Sequence, residues 1–160
     1  MPGVIYYHAE EGDDMQVSTK FTVAVHILTY VAYVKDSSKN TSEAIASSVG
    51  TNPVIIRNSM SALKRAGLID VKRGPGGIVL KHPLSEITLL DVYRAVETKA
   101  DDTLFRFHEH PNPECPVGKH IHDGLDGVLS SIQNHFEADL ASHTLEEIYQ
   151  NSTLPRTVSD

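Results

Sequence analysis

Residues 41–81, TSEAIASSVGTNPVIIRNSMSALKRAGLIDVKRGPGGIVLK, decide the fold. They read as two short helices joined by a tight turn, then a two-stranded ribbon with a glycine-rich tip. This is the layout of a winged helix-turn-helix. The second helix has the clearer punctuation. Asn52 can accept hydrogen bonds from the free first-turn amides, Pro53 suits the first helical position, and Gly67 stands just past the end. Those limits predict a helix over Pro53 to Ala66. Within it Ile56, Met60 and Leu63 recur at helical spacing and belong to the core, leaving Arg57, Asn58, Ser61, Lys64 and Arg65 outside. The preceding helix is expected over Ser42 to Val49, with Ile45, Ala46 and Val49 inward. Ala46, Gly50 and Ile56 then stand where the motif needs a small contact residue, a turn glycine and an inner hydrophobe.

Beyond Gly67, Leu68, Ile69 and Val71 form a β-prone run, Gly74-Pro75-Gly76-Gly77 a turn, and Ile78, Val79 and Leu80 the returning strand, closed by Pro83. A glycine-rich loop can also cradle phosphate. This one lacks the Gly-Lys-Ser/Thr ending of a nucleotide loop and does not open a helix, which speaks against nucleotide binding.

Length and charge bound the function. The 160 residues suffice for one domain, or one domain with an oligomerisation arm. No run approaches the roughly 18 apolar residues of a membrane span, and the first fourteen residues do not have the make-up of a secretory signal. One cysteine fits a reducing, cytoplasmic setting and excludes an intramolecular disulfide framework. The net charge of -7 argues at first against a nucleic-acid partner, because DNA affinity comes largely from neutralising phosphates. Its distribution reverses the argument. Between Thr41 and His82 six basic residues (Arg57, Lys64, Arg65, Lys72, Arg73, Lys81) face two acidic ones, Glu43 and Asp70, whereas the chain from Pro83 onward has five basic and fourteen acidic. Positive charge is concentrated where the motif places DNA.

Around this centre the chain divides into five parts. Residues 1–14 are expected to be a flexible extension, with Met15 a candidate start. Residues 15–99 form the DNA-binding domain. Its first helix, Thr19 to Val34, is capped by Ser18 or Thr19 and turns Phe21, Ala24, Val25, Ile27, Leu28, Val31 and Ala32 inward, with His26 a satisfied core or groove histidine. Asp36 to Asn40 is read as a loop. Past the wing, Thr88 and Asp91 resemble a capping box opening a helix over Leu89 to Val96. Residues 100–119 are a proline- and histidine-rich connector, in which Pro111, Pro113 and Pro116 should exclude regular structure. Residues 120–151 hold a helix from His120 to about Ala141, with Ile121, Leu125, Val128, Leu129, Ile132, Phe136 and Leu140 on one face, for which a twofold copy is the economical partner. Gly124 and Gly127 there either permit close helix approach or fray the first turn. Thr144 and Glu147 cap a last helix, Leu145 to Gln150, expected to fold over the dimer seam. Residues 152–160 are expected to be a disordered tail.

LKRAGLIDVKRGPGG (63–77) resembles the signature of the Rrf2-type bacterial transcription regulators, and TLLDVYRAVE (88–97) matches their next helix. The similarity runs on through LFRFHEHPNPECPVG (104–118) and covers about Val17 to Tyr149. It implies a homodimeric, operator-binding regulator, usually a repressor. In many relatives a Tyr-Leu-Glu-Gln-like segment stands where this chain has Ile55-Ile56-Arg57-Asn58, so an operator sequence does not carry over.

The expected partner is double-stranded DNA. Val54, Ile55, Arg57 and Asn58 lie early enough on the second motif helix to meet base edges; Lys64 and Arg65 suit phosphates, and Ser61 belongs to the same DNA-facing surface. Lys72, Arg73, Gly74 and Gly76 form the wing, with Arg73 suited to a narrow minor groove, as the resemblance also implies. A winged helix used only for protein contacts is the alternative, against which the basic imbalance speaks. The second constellation is HEHPNPECPVGKHIH (108–122). Cluster-bearing members of the family hold iron and sulfur with three cysteines here, and Cys115 alone excludes that site. Three readings stay open: a redox-responsive thiol, zinc held by Cys115 with two or three of His108, His110, His120 and His122, or a structural turn with solvated histidines. Catalysis by Cys115 with His120 or His122 lacks an orienting third group, so no enzyme is expected.

Overall fold

The computed structural model describes residues 19–74, 77–97 and 104–155. The helices are α1 (Thr19–Tyr33), α2 (Ser42–Val49), α3 (Pro53–Arg65), α4 (Leu89–Val96), α5 (Pro116–Ser142) and α6 (Leu145–Asn151); the strands are β1 (Ile69–Val71) and β2 (Ile78–Leu80). Short 3₁₀ turns at Ser37–Lys39 and Leu84–Glu86 link α1 to α2 and β2 to α4. The protein is mostly helical with a small antiparallel wing.

Local chemistry fixes the motif. Thr41 Oγ1 accepts from the Ala44 amide at 3.2 Å and Asn52 Oδ1 from the Val54 amide at 2.8 Å, so both helices of the pair start on side-chain caps. Between them Gly50 adopts φ 78° while its amide still donates to Ala46 O, a left-handed turn that an L side chain would strain. At the end of α3 the Gly67 amide bonds Lys64 O and the Leu68 amide bonds Leu63 O, a Schellman closure that aims the chain into β1. The strands pair Ile69 with Leu80, Asp70 with Val79 and Val71 with Ile78.

The core gathers Ala24, Ile27 and Leu28 of α1, Ile45 of α2, Ile56 and Leu63 of α3, Ile69 and Ile78 of the wing, and Val92 of α4. Met60 is only half-buried, packed at its edge, whereas Ser59 and Ala62 are buried beside Ile56 and Leu63. Two contacts anchor the wing. Asn40, read from sequence as part of a loop, is buried and donates through Nδ2 to Val34 O (3.1 Å) and Ile78 O (3.2 Å). Gly77 adopts φ 61°, and a Cβ there would lie 1.6 Å from Ser37 O, so the strand and that loop touch only because position 77 has no side chain.

Several expectations need correction. Pro116 does not belong to an irregular connector. It opens α5 at the first turn, where its missing amide has no helical partner to lose, so the helix begins four residues before His120. Gly124 and Gly127 therefore lie inside the helix with open space beside them, which removes first-turn fraying as their role. The last helix packs into the chain's own core: Leu145 is fully buried there, its amide donates to Ile87 O at 2.9 Å, and Leu89 N donates to His143 O at 2.9 Å. The C-terminal segment thus completes the core of the winged-helix domain. His26 is exposed, with its Nε2 2.9 Å from Ser48 Oγ, so it joins α1 to α2 from outside the core. Both capping boxes have their predicted first contact, Asp91 N to Thr88 Oγ1 (3.1 Å) and Glu147 N to Thr144 Oγ1 (3.4 Å), and at Thr88 the Asp91 carboxylate answers the backbone amide at 2.9 Å. The readings of residues 1–14, Met15, Ser18, Asp101, Asp102 and Gly76 lie outside the described residues, as does the tail from 156 to 160.

Candidate nucleic-acid interface

Ile56, Ser59, Ala62 and Leu63 take the inward stripe of α3 with Met60 at its edge, which turns the polar and basic positions to solvent. Arg57, Asn58, Ser61, Lys64 and Arg65 are all exposed there. Val54 and Ile55 stand on the first turn with 54% and 44% of their surface open, too exposed to serve packing within the chain. On the wing Lys72, Arg73 and Gly74 are exposed, with Gly74 at φ 71°. The structure therefore brings the predicted reading residues of α3 onto one surface, with the described wing residues exposed on the adjoining hairpin.

The cations on this surface fall into two groups. Arg57 donates from Nε to Ser42 Oγ at 3.3 Å and from Nη2 to Glu43 Oε1, while Ser42 Oγ donates to Glu43 Oε2 at 3.0 Å. The Glu43 carboxyl is held below the usual carboxylate range by its own backbone amide, the Ser42 hydroxyl and the Arg57 guanidinium. Lys64 lies 4.0 Å from Asp70. Thus both acids between Thr41 and His82 stand against a cation of α3. Arg65, Lys72, Arg73 and Lys81 make no ion pair among the described residues. Sequence reasoning counted Glu43 and Asp70 but gave them no role; their being the only acids in a basic stretch was the available signal.

The long helix α5 has two kinds of apolar surface. Phe136 packs edge-on against Tyr93 of α4 at 5.4 Å, and Arg94 Nη2 reaches Glu137 Oε2 at 2.7 Å. Gln133 accepts from the Leu104 amide at 2.8 Å and donates to Glu137 Oε1 at 2.8 Å. This edge is docked on the chain's own domain. The other edge is open: Val117, Val128 and Ile132 expose 69%, 59% and 42% of their surface. Ile121, Leu125, Leu129 and Leu140 are half-buried between the two edges. The predicted stripe is thus split, with Phe136 spent on an intramolecular contact.

Cys115 is exposed and stands immediately before α5. The Gly118 and Val117 amides hold its thiol below the ordinary value, since free helix amides favour the anion. The histidines named with it disperse. His108 and His122 stack edge-on at 5.0 Å, His120 lies 3.8 Å from Asp123, and His110 is 3.8 Å from Glu109. Among the described residues no three His, Cys, Asp or Glu side chains converge as metal donors. The residues present do not fit a three-cysteine iron–sulfur site. No helix of the described residues is long and apolar enough to cross a membrane.

A family pattern described as "Rrf2: Iron-dependent Transcriptional regulator" matches residues 17–151. The chain is 42% identical over 132 residues to YwnA of Bacillus subtilis (strain 168), a candidate HTH-type transcriptional regulator, covering 82% of this chain and 96% of that one. A crystal structure of a candidate DNA-binding protein superposes with TM-score 0.66 at 39% identity, covering 81% of this chain and 97% of the other. CymR (YrzC), the global cysteine regulator of B. subtilis, has the same fold at TM-score 0.59 and 22% identity, over 84% of this chain and 96% of that one.

Proposed function

The chain belongs to the Rrf2 family of transcriptional regulators and is a DNA-binding regulator, and on that premise we propose that it works as a homodimeric repressor reading a two-part operator. The observation that carries the reading is the outward face of α3, where apolar Val54 and Ile55 stand beside Arg57, Asn58 and Ser61 with the cationic wing adjacent. Apolar side chains suit thymine methyl groups, an arginine suits guanine, and Asn suits adenine. Lys64 and Arg65 lie further along the helix, at the height of the phosphates. Arg73 enters the minor groove beside the half-site.

Two copies associate through the open edge of α5, burying Val117, Val128 and Ile132 against their counterparts, so that two α3 helices reach successive major-groove faces about 34–36 Å apart. Bound at a promoter, such a dimer excludes polymerase. The test is a mobility shift on duplexes from the gene's own neighbourhood, combined with sedimentation of the free protein. A specific shift by a particle of two chains supports the reading; a monomer without preference for any duplex ends it.

The exposed Cys115 favours a second reading, in which peroxide tunes the regulator. The thiolate attacks one peroxide oxygen, forming S–O as O–O breaks and hydroxide leaves, to give a sulfenic acid at the start of α5. That change alters the path from wing domain to dimer helix and hence the spacing of the two α3 helices. Cys115→Ser is expected to dimerise normally and lose all peroxide dependence of binding. Identical oxidant responses of variant and parent would remove the sensor.

A further inference from the structure

The three-residue cluster at the start of α2 assigns a role to a side chain that carries the wrong charge for DNA. Glu43 lies in the first turn of α2, exposed, on the surface where α3 presents its reading residues. An isolated carboxylate there would repel phosphate. Instead it is engaged by Arg57 Nη2, while Ser42 Oγ bridges Arg57 Nε and the second carboxylate oxygen. Arginine has five N–H donors in a planar fork. Nε and Nη2 form one edge of that fork, and this edge is the one Ser42 and Glu43 occupy. The end of the fork, made by Nη1 and the outer hydrogen of Nη2, makes no hydrogen bond to Ser42 or Glu43 and has the geometry for two parallel bonds to guanine O6 and N7.

We infer that Glu43 is a positioning residue for base recognition: with Ser42 it clamps the side edge of Arg57, so that the end of the guanidinium meets one guanine in each half-site. The inference rests on the reading of α3 as the base-reading helix. An unclamped arginine has many rotamers and can settle on a neighbouring phosphate, which carries no sequence information. The clamp holds it away from that alternative. The carboxylate also penalises any register in which Arg57 is not paired with it, so Glu43 lowers affinity for random sequence while sharpening the preference for guanine.

The experiment is selection of duplexes from a randomised pool by full-length wild type, Glu43→Gln, Ser42→Ala and Arg57→Ala, with salt titrations on the winning duplexes. Wild type is expected to return a motif with a fixed guanine in each half. Arg57→Ala loses that guanine. Glu43→Gln reduces its enrichment by about fivefold or more in the same column only, while binding to random duplex is unchanged or stronger. Ser42→Ala moves the same column less, and serves if Glu43→Gln proves unstable. A merely structural role for Glu43 would instead weaken binding to every duplex alike and leave the motif intact, which overturns the clamp. It is equally overturned if Arg57→Ala keeps the guanine. A wild type that selects no motif at all removes the base-reading role of α3 itself, and the clamp falls with it; the two failures are therefore distinguishable.

Discussion

Arg73 stands exposed on the wing without an ion-pair partner among the described residues, so its charge is available to a polyanion without first leaving a carboxylate. Arg73→Ala is expected to weaken operator binding and to lower the slope of log affinity against log salt by about one. Between ~50 and ~200 mM salt the deficit should then shrink about three- to fourfold, and unchanged affinity in dilute buffer would take the wing out of the mechanism. At the C-terminal end of α5, His143 Nδ1 lies 2.8 Å from the Glu147 carboxylate, with Asp139 at 3.9 Å from Nε2. The Glu147 hydrogen bond and the charges of Glu147 and Asp139 raise the His143 pKa above its ordinary value. A raised histidine pKa means stabilisation that is complete below the unfolded-state value, near 6.5, and lost as pH rises through the folded-state value. The melting temperature of wild type should exceed that of His143→Gln at pH 6, and the gap should close by pH 8.5. A gap independent of pH would refute the ion pair.

Among the elements, α3 has the firmest boundaries because its signals are local. Asn52, Pro53 and Gly67 act within a turn of where they stand, and so does Thr88 with Asp91 in α4; these were legible in the residues themselves. Leu63 is fully buried, so Leu63→Ala is expected to cost about 2–5 kcal/mol in denaturant unfolding. Thr88→Ala, which removes a cap, should cost nearer 1 kcal/mol. If the two were equal, the core assigned to α3 would be wrong. What was not legible depends on distance along the chain. Nothing near Asn40 announces that its amide will bind Ile78 O, and nothing near Leu145 says that it will fill the domain core. The Arg57–Glu43 contact joins two helices through residues fourteen apart in sequence, and each residue alone reads as solvated charge. Pro116 misled for a different reason: proline breaks a helix interior but favours its first turn, and the sequence alone did not decide which applied.

At the scale of the whole molecule the charge is partitioned, an anionic chain whose one stretch of net positive charge runs through α3 and the wing. One core serves the whole described chain: α5 docks along α4 through Phe136 without a fully buried residue, and α6 returns Leu145 to the centre. The open edge of α5 is where assembly is expected. Ile132→Asp places a charge in that proposed seam without touching the Tyr93–Phe136 contact, and should yield a folded monomer that binds duplex far more weakly than the dimer. The account as a whole is tested most directly by light scattering with size separation of the wild-type protein, alone and with a duplex from its own locus. It predicts a mass of two chains for the free protein and two chains on one duplex for the complex. A single-chain mass that the duplex leaves unchanged, in dilute buffer, would contradict it.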